Sequence, residues 1–286
     1  MNKDYYDNWL DYLDDEEKRV HEEVLEWENR PQRASGFLRW MSQTLTSQLA
    51  KLPSEYATPI VDSMRKVLTV LRDTALSTIN VESIAYKVSL KCGKAVQEGV
   101  NDEHLPICIL DEASRECIAF NISTSTVEGA LCGAGGIHGI IIDIPVLYTF
   151  LYRLIGEVAL CYGYDLTSQQ EKMYVMKVLE LGHQTDDSSR QGTIAELHVL
   201  HTAVRGGISP NSLTGKAALQ SMNMLCEKIG LSYARRKLAT ILAVVGGVTG
   251  AAANYLLARE VGKAAYHTYR KRFIMDRAMA RRLNRL

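Results

Sequence analysis

Proline, paired cysteine and net charge are what this chain has little of. Six prolines in 286 residues, with few alternating β-branched runs, leave little room for a sheet. The cysteines (Cys92, Cys108, Cys117, Cys132, Cys161 and Cys226) are scattered, with no CxxC and no paired spacing. Four of them lie in apolar runs, where a reduced thiol behaves as a small hydrophobe, a usage that suits a reducing cytosol. The opening MNKDYYDNWLDYLDDEE holds no apolar leader, so no secretory signal is expected. With 47% apolar and 23% charged residues, the composition excludes disorder, a collagen-like chain and a disulfide-stapled miniprotein. What is present is ample core material for one large domain or two small ones.

The balance of 33 basic against 33 acidic side chains hides a strong polarity. Residues 1–30 carry 11 acidic and 4 basic side chains, whereas residues 231–286 carry 12 Lys/Arg against Glu260 and Asp276. Such a basic end suits anionic lipid, nucleic acid or the chain's own acidic head. Nucleic acid is set aside, because the basic tail lacks aromatic platforms at regular spacing and carries no nucleic-acid motif.

Nearly every segment reads helical. Residues 8–29 place Trp9, Leu13, Val20, Val24 and Trp27 on or near one stripe, closed by Arg30-Pro31. Further helices are expected over 35–51, 57–78, 82–98 and 104–126. Trp9, Trp27 and Trp40 all fall in the first forty residues and read as anchors fastening the N-terminal helices to the body. The stretch from Gly129 to Gly163 starts GALCGAGGIHGIII, is interrupted at Asp143-Ile144-Pro145 and continues VLYTFLYRLIGEVALCYGY. An Asp just ahead of a first-turn proline reads as a helix start, so two apolar helices are expected to meet at 142–144 with Asp143 as the cap. Thr167 and Gln170 have capping-box spacing and open a helix running to Leu181-Gly182. Residues 183–193 read as a polar loop, followed by helices at 193–204, 213–229 and 232–245 and a basic helix over 259–285.

Leu238–Ala258 is uncharged over 21 residues, ~31 Å of helix against a hydrocarbon core of about 30 Å. Its eight Leu, Ile and Val residues sum to roughly −2 to −5 kcal/mol at the membrane centre. Three glycines, two threonines and Asn254 oppose that gain, so a single span is marginal. The glycine spacing says more. Gly129/Gly133, Gly135/Gly139, Gly246/Gly250 and Gly247/Ala251 stand four apart, placing small residues on one helix face where backbones can approach closely. The expectation is an all-α, compact multi-helix domain around a glycine-rich apolar helical hairpin, with Asp143 and Pro145 at its polar centre.

Motifs for chemistry are weak. Gly133-Ala-Gly135-Gly136-Ile-His138 fails the dinucleotide fingerprint at its third glycine, and no strand precedes it. Gly215-Lys216 is followed by Ala217, and Pro210 stands where a phosphate loop needs its first glycine. No cofactor is therefore expected. His198 and His201, three apart, are the only weak metal candidates, with His183, Asp186, Asp187 and Glu196 nearby; they frame an alternative reading as an enzyme with a metal or small-molecule pocket near 183–201. No nucleophile elbow and no carboxylate pair placed for acid–base work emerges.

The glycine-rich run, continuing as GEVALCYGYDLTSQQEKMYVMKVLELG, the upstream Asn121 and Ser123–Thr126, and VVGGVTGAAANY ahead of a basic helix resemble the EcsC protein family, named after a member encoded beside an ABC transporter. The resemblance covers the chain from Trp27 to Phe273. It implies a bacterial, helical, cytoplasmic-side protein and supplies no catalytic residues. The domain reading is an acidic N-terminal helix over 1–30, an EcsC-like helical domain over 31–258 and a basic C-terminal helix over 259–286. The functional expectation is a non-enzymatic protein, associated peripherally with the inner face of a membrane. Its partner would be an anionic membrane surface or a membrane protein complex such as a transporter, with a soluble adaptor as a further alternative. Arg270, Lys271, Arg272, Arg277, Arg281 and Arg282 would face the lipid at about 1 kcal/mol each.

Overall fold

The computed structural model describes residues 9–31, 68–96, 105–133, 136–205 and 250–284; side chains within 125–145, 203–205 and 250–254 lie outside that description. Among the described residues there are helices and no strands. A 3-10 turn at Trp9–Tyr12 precedes α1, Asp15–Asn29. Helix α2 covers 68–77, α3 is Val81–Cys92, α4 is Ile107–Gly133 and α5 is Gly136–Cys161. Helix α6 is Gln169–His183, α7 is Asp187–Arg205 and α8 is Gly250–Asn284.

Local chemistry sets several of these boundaries. The helix expected over 8–29 is divided at Asp14, whose side chain accepts from the Glu17 N–H while Glu17 reaches back to the Asp14 N–H. Helix α3 ends at Cys92, short of the expected residue 98, because Gly93 adopts the left-handed conformation (φ 69°) and turns the chain. The cap of α6 is Ser168, one residue later than expected, its hydroxyl accepting from the Glu171 N–H. Thr167 bonds back to Asp165 instead. The polar stretch 183–193 is largely helix: Asp186 accepts from the Ser189 N–H and α7 starts at Asp187.

The two helices expected to meet at 142–144 are a single helix, and a helical pair forms instead between α4 and α5. Helix α4 ends at Gly133, α5 begins at Gly136, and the two pack together. Helix α5 runs without interruption through Asp143 and Pro145, so Asp143 does not cap a helix there. An interior proline forfeits one backbone hydrogen bond. The following turns bury Leu147, Tyr148, Leu151, Tyr152, Ile155 and Val158, and this gain in apolar burial outweighs the lost bond. Gly129, Gly133, Gly139 and Gly250 lie in helices whose neighbouring side chains are not described, and Gly135, Gly246 and Gly247 lie outside the described residues, as do Trp40 and the helices expected at 35–51, 213–229 and 232–245.

Helix α8 is the axis of the fold. It packs on α4, α5, α6, α1 and the Trp9–Tyr12 turn, while α3 lies against α4 and α5, and α7 against α6. Val261, Ala264, Ala265, Tyr269, Phe273, Ile274 and Ala278 are its buried stripe, at three- and four-residue steps. Small residues set the crossings. A Cβ on Gly182 of α6 would lie 2.7 Å from Val261 Cα of α8, and one on Gly262 would lie 2.8 Å from Ile118 of α4. Trp9 is buried and Trp27 half-buried against the core, so both act as the anchors expected of them.

Candidate functional site

The cations at 270–281 face inward. Arg270 pairs with Asp111 at 2.8 Å and with Glu23; Lys271 pairs with Glu28 at 2.9 Å. Arg277 reaches Glu17 and the Leu105 carbonyl, and Arg281 binds Glu17 and Asp14. The acidic surplus of the first thirty residues is thus the counter-charge of α8. This corrects the expectation that Arg270, Lys271, Arg272, Arg277 and Arg281 face lipid. Arg282, half-buried at the end of α8, also has an interaction partner. The physical reason is that a helix with an apolar stripe as wide as that of α8 has almost no solvent side left, so its charges must be neutralised within the protein.

Arg272 is the most enclosed of these. Its guanidinium binds Glu171 at 2.7 Å and stacks 3.9 Å from the Tyr164 ring and 4.5 Å from that of Tyr174. The Tyr269 hydroxyl donates to the same Glu171 carboxylate at 2.6 Å. Burial pushes the Tyr164, Tyr174 and Tyr269 hydroxyls up, so they remain donors. Every charge here is answered from inside the protein, the signature of structural ionic packing.

The region 183–201 is likewise committed. His201 Nε2 sits 2.7 Å from Asp276, which also accepts from Tyr164; His183 stacks on Tyr148 and bonds its hydroxyl at 2.9 Å; Glu196 binds Lys177. Beside His198 and His201 the free space is about 20 Å³, room for about one water molecule. Among the described residues no group of three His, Cys, Asp or Glu could hold a metal. Beside His198 and His201 themselves there is no room for a metabolite.

An open cleft of about 520 Å³ reaches the first part of this region at Arg190, where the end of α1, the start of α7 and the first half of α8 meet. Trp27, Arg30, Leu181, Arg190, Arg259, Glu260, Lys263 and His267 form its wall. Four guanidinium or ammonium groups stand against two carboxylates: Glu260 in the wall, shared by Arg259 and Lys263, and the exposed Glu26, which pairs with Arg30 at 2.5 Å. Arg259, Lys263 and His267 stand at four-residue steps on one face of α8. Arg190 Nη2 donates to the Trp27 carbonyl at 2.9 Å and Nη1 to that of Glu28, satisfying carbonyls left open at the C-terminus of α1. It also stacks 4.4 Å from the Trp27 ring. Burial, followed by the Arg270, Arg190, Arg30 and Lys263 charges, pulls His267 down to about 3. The imidazole, stacked on Trp27 at 4.5 Å, is therefore neutral while the field around it is positive.

Sequence reasoning placed a pocket near 183–201, which includes Arg190, but named none of the residues that line this cleft as part of it. The only signal available was the 259/263/267 spacing, because Arg30 and Arg190 arrive from segments far away in the chain. Chemically the wall offers N–H donors and positive potential to an anion.

The acid stability of the fold reports on His267. Its folded-state pKa lies below the unfolded value of about 6.5, so its contribution is complete above pH 6.5 and lost as pH falls toward 3. The slope is at most about 1.4 kcal/mol per pH unit. His267→Phe keeps the stack on Trp27 and removes the titration. Its melting temperature should fall less than that of wild type between pH 7 and pH 5; equal falls would show that His267 does not titrate this way.

The EcsC protein family model matches residues 18–274. The chain belongs to the EcsC protein family. It is 23% identical over 258 residues to Protein EcsC of Bacillus subtilis (strain 168), covering 90% of this chain and 96% of that protein. It is also 23% identical over 258 residues to the protein of the same strain described as Uncharacterized protein YdbA, covering 89% of this chain and 92% of that one. No solved structure matches. The cleft residues and the Arg270–Glu23 and Lys271–Glu28 pairs fall inside the matched EcsC region, whereas Asp14, Glu17, Arg277 and Arg281 lie outside it. Among the described residues no helix of this EcsC chain is long and apolar enough to cross a membrane.

Proposed function

We propose that this EcsC-family chain is a non-enzymatic protein that docks peripherally on the inner face of a membrane, using the cleft between α1, α7 and α8 to hold a phosphate-bearing headgroup. One observation carries the reading: Arg30, Arg190, Arg259 and Lys263 line an open cleft whose wall holds one carboxylate, Glu260, with Glu26 pairing with Arg30 at the exposed rim, whereas the cations at 270–281 are paired with buried or half-buried groups of the protein's interior. Each solvent-reachable Lys or Arg near an anionic leaflet contributes about 1 kcal/mol. Arg30, Arg259 and Lys263 together therefore support a preference of roughly ten- to a hundredfold for anionic over neutral lipid, with salt sensitivity.

Co-sedimentation with phosphatidylglycerol-containing vesicles, compared with pure phosphatidylcholine, tests it. Binding should favour the anionic vesicles, fade at high salt and drop at least tenfold in Arg259→Glu/Lys263→Glu. No binding to either vesicle, or equal binding by the double variant, rejects the reading. Co-purification with a membrane complex without binding to bare vesicles would favour the adaptor role.

A further inference from the structure

A second chemically competent cluster lies away from the cleft and does not depend on its function. Cys117 on α4 and Cys161, the last residue of α5, place their Sγ atoms 3.9 Å apart. Both are buried, at 0% and 3% exposure. Lys87 of α3 brings Nζ to 3.9 Å from Cys117 Sγ and to 6.0 Å from the ring of Phe120, itself exposed, so the lysine spans from the thiol toward the surface. Asn121 donates to the Cys117 carbonyl at 2.9 Å and to Glu157 at 2.8 Å, fixing the two helices in register beside the sulfurs. Cys92 and Cys108, the other described cysteines, lie closer to the surface.

We propose that Cys117 and Cys161 are a peroxide-responsive dithiol, oxidised within the folded protein to a disulfide that staples α4 to α5. The Cys117 thiolate attacks one oxygen of hydrogen peroxide, the O–O bond breaks, and the departing hydroxide takes up a proton, leaving Cys117 as a sulfenic acid. Cys161 sulfur, losing its proton, then attacks Cys117 Sγ; the S–O bond breaks and that oxygen leaves as water. In sum two thiols and one peroxide give one disulfide and two waters, the two electrons passing from sulfur to oxygen. The order of attack follows from the surroundings. The hydrogen bond from Cys161 and the Lys87 charge hold the Cys117 thiol below its ordinary value despite burial, whereas the same bond and burial push Cys161 well up. Closing the sulfurs to about 2.05 Å requires a movement of about 2 Å.

The test exposes the reduced full-length protein to hydrogen peroxide under native conditions and maps peptides without reduction. A 117–161 cross-linked peptide is expected, reversed by dithiothreitol, with a melting temperature raised by about 5 °C. Lys87→Met should slow the cross-link about tenfold at neutral pH by withdrawing the thiolate's counter-charge. Cys161→Ser should leave a sulfenic acid on Cys117 that dimedone captures. If that variant loses its helical circular dichroism, the wild-type peptide map decides alone. Oxidation confined to Cys92 or Cys108, or a 117–161 link that forms only after unfolding in urea, overturns the proposal. Dimedone on Cys161 in a Cys117→Ser variant, with none on Cys117 in the reverse one, overturns the assigned order.

Discussion

Glu171→Leu should lower the free energy of unfolding by about 3–5 kcal/mol, read as a fall in urea midpoint. The substitution strips the carboxylate from an Arg272 guanidinium enclosed between Tyr164 and Tyr174, and from the Tyr269 hydroxyl that donates to it. An uncompensated cation at that depth is the costly outcome; the intact pair need not itself be strongly stabilising, because its attraction is set against the desolvation of both ions. Glu171→Leu/Arg272→Met should therefore recover most of the loss, with a coupling of about 2 kcal/mol or more in the double-mutant cycle. A single variant within about 1 kcal/mol of wild type would mean that water reaches the site.

Gly182→Ala should destabilise by roughly 3 kcal/mol, while Gly192→Ala on the neighbouring helix should stabilise by about 0.5–1 kcal/mol. A methyl on Gly182 would lie 2.5 Å from Val261 Cγ2 and 2.7 Å from Val261 Cα. The second of these is backbone, so α6 and α8 would have to move apart. At Gly192 nothing lies within 4 Å, and alanine only removes backbone freedom from the unfolded chain. Gly156 is intermediate, because the added carbon would meet the tips of Ile79 and Leu76, which can rotate. Thermal melts of the three variants should rank Gly192→Ala above wild type, then Gly156→Ala, then Gly182→Ala. Equal melting of Gly182→Ala and Gly192→Ala would remove close approach as the reason for the first glycine.

The lesson about glycine is one of position. Four-residue spacing marks helices on which small residues share a face, and single glycines outside such pairs also set crossings. Among the described residues the tight contacts use Gly156, Gly182 and Gly262, one glycine at a time, with the partner atoms supplied by a different helix at Gly182 and Gly262 and by Leu76 of α2 and Ile79 just beyond it at Gly156. Gly182 stood in the sequence as an apparent helix end and Gly262 as one residue in a basic helix. Nothing within either segment pointed to Val261 or Ile118 as the neighbour.

Local chemistry was readable because it acts within one turn. Apolar periodicity, the scarcity of proline and the absence of alternating strands determined an all-α chain, and the −7 and +10 charge blocks at its ends foreshadowed a cation-rich last helix. The glycine-rich run and the basic helix also pointed to the EcsC family, which the match over 18–274 establishes. Only the tertiary structure decided what those charges do. Arg270 to Arg281 meet Asp14, Glu17, Glu23, Glu28, Asp111 and Glu171, so a surface that composition would offer to lipid is spent on holding the two ends of the chain together. The cleft of Arg30, Arg190, Arg259 and Lys263, and the meeting of Cys117 with Cys161, were equally invisible along the chain. Periodicity encodes which face a helix buries, whereas an ion pair or a thiol contact depends on which helices cross and at what height, a property of packing that no single segment carries.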